Sequence, residues 1–133
     1  MADARRHFLA PVLDNPGHWG LRIERTGGWL VRVLELASDS GTRKKGLLGR
    51  DGLAPDAGLV IAPSQGVHTF GMRFALDIVG VARDGLVVKS RADVGPTRLV
   101  FAWKAFAILE LAAGASGRAG LEIGDRLIAE RTD

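Results

Sequence analysis

Short apolar runs separated by turn residues dominate this chain, and their lengths are those of strands. Leu21–Arg25 and Trp29–Leu36 predict two strands around a Thr26-Gly27-Gly28 turn, the second rich in β-branched and aromatic residues. Gly58–Ala62 is continuously apolar and stops at Pro63. Gly66–Phe70 reads as a strand, and Gly71 permits a kink. Phe74–Ala82 and Leu86–Ser90 predict a hairpin closed by Arg83-Asp84-Gly85. Val94-Gly95-Pro96-Thr97 is loop chemistry, and Phe106–Ala112 is a further strand. Gly114 to Gly120 reads as a turn with room for one helical turn, and Ile123 to Leu127 leads into a last strand.

One helix is predicted. Ser38-Asp39-Ser40 offers N-cap side chains, Thr42–Leu48 follows at helical spacing, and Gly49 can close it. Upstream, Pro11, Asn15-Pro16-Gly17 and Gly20 break any regular period. His7, Phe8, Leu9, Val12, Leu13 and Trp19 can still pack there. The expected organisation is a lead-in, residues 1–28, packed on the body, and one globular domain over residues 29–133. The expected fold is mainly β (α+β): a small curled sheet or barrel of seven to eight short strands with one or two short helices. Closure would remove exposed strand edges.

Composition narrows the chemistry. At 133 residues, 47% hydrophobic and 25% charged, the chain fits one soluble domain. It has no cysteine, which excludes disulfides, cysteine-ligated metal and thiol chemistry. Three histidines make a metal cage an unfavoured reading, and no cofactor is expected. The net charge of +3 is spread evenly along the chain, so no nucleic-acid partner is expected. No nucleotide fingerprint occurs. No export signal or membrane span is visible, and a cytoplasmic location is the default expectation.

Four features could carry chemistry. Asp77 is the only charge between Phe74 and Ala82, on a strand apolar on both faces, and a buried carboxylate needs a partner. Arg73, Arg50, Arg43 and His68 are the candidate cations. Glu110 is equally alone between Ala105 and Ala113. The two carboxylates could converge in one pocket or belong to unrelated ion pairs that hold the fold. His68-Thr69 could supply a hydrogen-bonding or acid–base group at a pocket rim, or His68 could be a core histidine. The run Arg43-Lys44-Lys45-Gly46-Leu47-Leu48-Gly49-Arg50 has no acid and could bind an anion, or could be a solvated face. Met72, Phe70, Trp29 and Trp103 could line a pocket, though such residues are commonly core.

The ordered set is more specific than any one motif. It runs through Arg43-x-x-Gly46-Leu47-Leu48-Gly49-Arg50, Gly58-Leu59-Val60-Ile61 and His68-Thr69-Phe70-Gly71-Met72-Arg73-Phe74-x-Leu76-Asp77. Asp84-Gly85, Leu109-Glu110-Leu111-x-Ala113-Gly114 and Gly120-Leu121-x-x-Gly124-Asp125 complete it. Over about residues 29 to 130 this resembles the domain of unknown function 192 family. The resemblance implies a compact, mostly-β bacterial or archaeal domain whose biochemical role is not established. Many members carry a signal peptide or anchor, and neither is visible here. The family's polar signature falls on Arg43, Arg50, His68, Thr69, Asp77 and Glu110. Relatives often have proline at Ala75, cysteine near Ser64 and a bulkier residue at Gly80. Serine at position 64 puts a thiol-based role in doubt, and Gly80 could open space beside the sheet or mark a bulge.

The leading expectation is a non-catalytic binding or accessory domain for a small polar ligand, anionic or sugar-like. Its site would draw on Arg43, Arg50, His68, Thr69, Met72, Arg73, Asp77 and Glu110. One rival is a hydrolase or lyase with His68 as base and Asp77 as its orienter. Another is a protein-interaction domain of an envelope or secretion assembly, with an exposed apolar patch around Trp19 and Trp103. The sequence names no protein partner.

Overall fold

The computed structural model describes residues 6–133. The first five residues of the expected lead-in lie outside that range. Among the described residues there are ten strands and three short helices. The chain opens with helix α1 (Ala10–Asp14), then β1 (Trp19–Ile23), β2 (Trp29–Val31) and β3 (Val33–Ala37). Helix α2 (Ser40–Lys45) leads to β4 (Ala57–Ile61) and β5 (Gly66–His68). Next come β6 (Leu76–Val81), β7 (Val87–Val94), β8 (Leu99–Phe101) and β9 (Ala107–Ala112). Helix α3 (Ala115–Arg118) and β10 (Leu127–Arg131) close the fold. No helix among the described residues is long and apolar enough to cross a membrane.

A five-stranded sheet in the order β3-β4-β9-β6-β7 forms the centre. Its two faces are covered by different layers, so its inner strands read as unbroken apolar runs instead of alternating ones. On one face, Val60, Val79, Val81, Leu109 and Leu111 pack with Leu9, Leu21, Ile23 and Leu127. β1 and β10, which carry the last three, belong to the three-stranded sheet β10-β1-β2. On the other face, Leu59, Ile61, Leu76, Ile78 and Ile108 pack with Leu47 beyond α2 and with Val100 of β8. β8 pairs only with β5, as a separate two-stranded ladder.

The mainly-β class and the curled sheets match expectation, but no barrel closes among the described residues. Closure is unnecessary because the edges are blunted differently. Edge strand β7 carries Lys89, Arg91 and Asp93, and its pairing with β6 shifts register twice, both features that discourage edge-to-edge pairing. One shift falls at Gly80/Val81, so Gly80 does mark a bulge. It also admits a neighbour: a Cβ there would sit 2.7 Å from that of Ala102.

Several boundaries differ from the sequence reading. The expected strand Trp29–Leu36 is two strands in two sheets. It breaks at Arg32, where the amides of Arg32 and Val33 both donate to the carbonyl of Asp56. Helix α2 ends at Gly46 (φ +48), three residues before Gly49, because Gly46 takes the left-handed turn first. α1 forms despite Pro11, which sits in its first turn where no amide is needed. β8 leaves little trace in the apolar pattern because it is three residues long and follows a proline loop.

Candidate functional site

A cavity of about 420 Å³ opens between α2, the end of β4 and β5. Three parts of the chain build it. Asp39 caps α2 by accepting from the Thr42 amide over 2.8 Å, which fixes the helix that carries Arg43, Lys44 and Lys45. These three cations line one wall. Ile61, Pro63, Ser64, Gly66 and His68 form another, and Met72 closes the apolar end. Glu110, projecting from β9, also lines the space.

Glu110 lines the cavity beside the C-terminal end of α2. A Cβ on Gly46 would lie 3.4 Å from Glu110 Oε1. The residue is almost fully buried, its carboxyl opens on the cavity, and no protein hydrogen bond reaches it among the described residues. Burial pushes its pKa up to about 7, against a smaller lowering by the Arg50 charge. Near neutral pH this group is divided between a neutral acid that can donate and a carboxylate that cannot. His68 is exposed at the rim and stacks on Phe70, with ring centroids 5.4 Å apart.

Of the eight residues expected to form a site, the cavity brings together Arg43, His68, Met72 and Glu110. The other four are placed elsewhere. Arg50 pairs with Glu35 over 2.8 Å, and Arg73 pairs with Asp51 over 2.8 Å, both at the surface. Thr69 is buried; its hydroxyl donates to the Gly95 carbonyl and accepts from the Arg98 amide, each over 2.8 Å. It pins the β7–β8 connection.

Asp77 corrects the sequence reading most sharply, since among the described residues no cation pairs with it. Ser116 Oγ donates to Oδ2 over 2.6 Å, and the Ser116 amide does so over 3.0 Å. The amides of Asp93 and Gly114 donate to Oδ1 over 2.9 and 3.1 Å. Burial raises the carboxyl's pKa, but these four donors outweigh it and hold the group below the usual carboxylate range. With both oxygens occupied, Asp77 does not orient His68, and the acid–base pair of the hydrolase reading is not assembled. Among the described residues no three His, Asp or Glu side chains gather as metal ligands.

Sequence reasoning missed the Pro63-Ser64 wall. Only the departure from relatives at Ser64 hinted at it. It also undervalued Lys44 and Lys45, which the basic run contained without showing that α2 turns them onto a cavity. Trp103 is 84% exposed, as a loop aromatic would be. Trp19 instead is half-buried, its indole N–H donating to the Asn15 carbonyl over 3.0 Å, and takes no part in an open patch.

The family profile described as an uncharacterised ACR matches residues 22–129, which span β2 to β9, the end of β1 and the first part of β10. The chain belongs to the domain of unknown function 192 family. Within that family's fold, a protein of unknown function from Novosphingobium aromaticivorans DSM 12444 is similar in structure. It is 27% identical, covers 81% of this chain and 82% of its own, and gives a TM-score of 0.72. A candidate transcription regulator from Sinorhizobium meliloti 1021 gives a TM-score of 0.73. At 24% identity over 86% of this chain and 97% of its own, that likeness shows the shared fold. No curated protein matches the chain.

Proposed function

We propose that the cavity between α2 and β5 binds a small anionic ligand without turning it over. The observation that carries this reading is Glu110, a carboxyl without a protein hydrogen-bond partner among the described residues, lining the same cavity as Arg43, Lys44 and Lys45. The cations supply charge-assisted donors to a carboxylate or phosphate. Neutral Glu110 donates to a ligand oxygen, sugar hydroxyls included. Ionised Glu110 repels the anion. Binding therefore favours the protonated form and weakens as pH rises through about 7.

Calorimetric titration with acetate, glucuronate and inorganic phosphate tests this. At least one should bind with a Kd of about 1 mM or tighter. The double variant Lys44→Ala/Lys45→Ala should lose about tenfold or more. Acetate or glucuronate should bind more weakly at pH 8.5 than at pH 6, and Glu110→Gln should abolish that difference. If none of the three binds, or if the lysine variant binds as wild type does, the reading fails.

A further inference from the structure

A second concavity, about 410 Å³, borders β5 and β8. It shares Ser64, Gly66, Val67 and His68 with the charged cavity, so the two border the same strand, β5. Its other wall is apolar: Leu99 is 58%, Phe101 57% and Trp103 84% exposed. The exposure follows from the ladder. His68 pairs with Leu99 and Gly66 with Phe101, while Val67 and Val100 form the pair between them. Val100 points into the core, so Leu99 and Phe101 point out. Gly66 lets the Phe101 ring lie across β5, since a Cβ there would come within 2.9 Å of it. The Trp103 segment is held in place by Gln65, whose side-chain amide donates to the Trp103 carbonyl over 2.7 Å.

We propose that the two concavities are one site, and that its ligand is a single-chain amphiphile with an anionic head and an alkyl tail. This rests on the cavity being an anion site, and it specifies the ligand class. The head sits against Arg43, Lys44 and Lys45, and the tail leaves past His68 to lie on Leu99, Phe101 and Trp103. Charge complementarity fixes the head's position, and the lining that the two concavities share along β5 fixes the tail's. One molecule removes a row of three large apolar side chains from water, which is the usual reason such a row is tolerated beside a polar pocket.

The test is a chain-length series of butanoate, hexanoate, octanoate and decanoate, with matched monoalkyl phosphates, all below micelle formation. Affinity should rise about fourfold per buried methylene, until the groove is full. Phe101→Ser/Trp103→Ser should flatten that rise and leave the affinity for butanoate unchanged. Both side chains are exposed, so an unchanged thermal transition verifies that the variant folds. The two head groups distinguish a carboxylate ligand from a phosphate ligand, and either supports the proposal. A short member that binds while longer members bind no tighter overturns the amphiphile and leaves the anion site standing. Failure of every member overturns both. Binding to anionic phosphatidylglycerol vesicles with a flat monomer series overturns it in favour of a membrane surface. Concentration-dependent self-association abolished by Trp103→Ser, again with a flat series, overturns it in favour of a second copy of the chain.

Discussion

Asp77 and Glu110 are carried by neighbouring strands, one register step apart, and face opposite sides of the same sheet. Ile78 is the partner of Glu110, and Asp77 is the partner of Leu111. Side chains alternate along a strand, so Asp77 shares its face with Val79 and Leu111, and Glu110 shares its face with Ile78 and Ile108. Two carboxyls that look alike in the sequence thus meet opposite environments. Four donors surround Asp77, and its pKa is lowered. Glu110 meets an open cavity, and its pKa is raised. The first fastens the fold, and the second opens on the cavity.

Asp77→Asn should be destabilising by about 2–4 kcal/mol, because an amide cannot accept four hydrogen bonds and adds two donors of its own. Ser116→Ala removes one bond and should cost about 1–2 kcal/mol. Urea unfolding at pH 7 measures both. The wild-type contribution is fully present above the unfolded-state carboxylate value, about 3.9. It is lost as pH falls through the lower folded-state value, so the gap between wild type and Asp77→Asn should shrink in acid. Ligand binding at the cavity should be unchanged in either folded variant.

Glu110→Gln should behave in the opposite sense. The folded-state pKa of about 7 lies above the ordinary 4.5, so wild type holds its proton more tightly when folded. The matching stability is fully present below 4.5 and is lost as pH rises through about 7. Gln has no such proton to lose. Wild type should therefore fall by about 3 kcal/mol relative to Glu110→Gln between pH 4 and pH 8.5, with chemical denaturation at each pH as the measurement. Parallel curves would mean that water reaches Glu110 freely.

Much of this was legible in the chain. A lone carboxylate on an apolar strand announces a buried polar group, and both such residues proved buried. What satisfies each one was not legible. Asp77 takes its donors from residues 16 to 39 positions away, supplied by Asp93 on β7 and by the start of α3 after β9. Backbone amides leave no mark in a sequence, so cations were the natural guess. The face each carboxyl occupies follows from register between strands, which local pattern does not encode. Strand runs were visible because both faces of the central sheet are buried. The change of sheet at Arg32 was invisible, because Trp29–Leu36 is equally strand-like on both sides of it.

Asp39→Ala should weaken anion binding without unfolding the protein. Asp39 is the sole side-chain cap of α2, and its carboxylate is held below its usual pKa mainly by the Thr42 amide. A six-residue helix has little stability of its own, so losing the cap frays the segment that presents Arg43 to Lys45. Titration with the tightest-binding anion should show a several-fold weaker Kd, and the thermal transition should fall only slightly. An unchanged Kd would show that packing of Leu47 alone holds the cations in place.

Gly80→Ala should test whether the sheet and the Trp103 segment are in hard contact. A Cβ at position 80 would stand 2.7 Å from the Cβ of Ala102 and 3.3 Å from that of Lys89. Neither is the flexible end of a side chain, so backbone must move, at a cost of about 1–3 kcal/mol. Ala102→Gly removes the nearer obstacle at a cost of about 1 kcal/mol in its own right. In the double variant the clash is relieved. Its destabilisation should be smaller than the sum of the two singles by about 1 kcal/mol, read from a double-mutant cycle of unfolding free energies. Additive effects would place the obstruction at Lys89 on β7, and the bulge at Gly80 would then serve the edge strand and not the segment that carries Trp103.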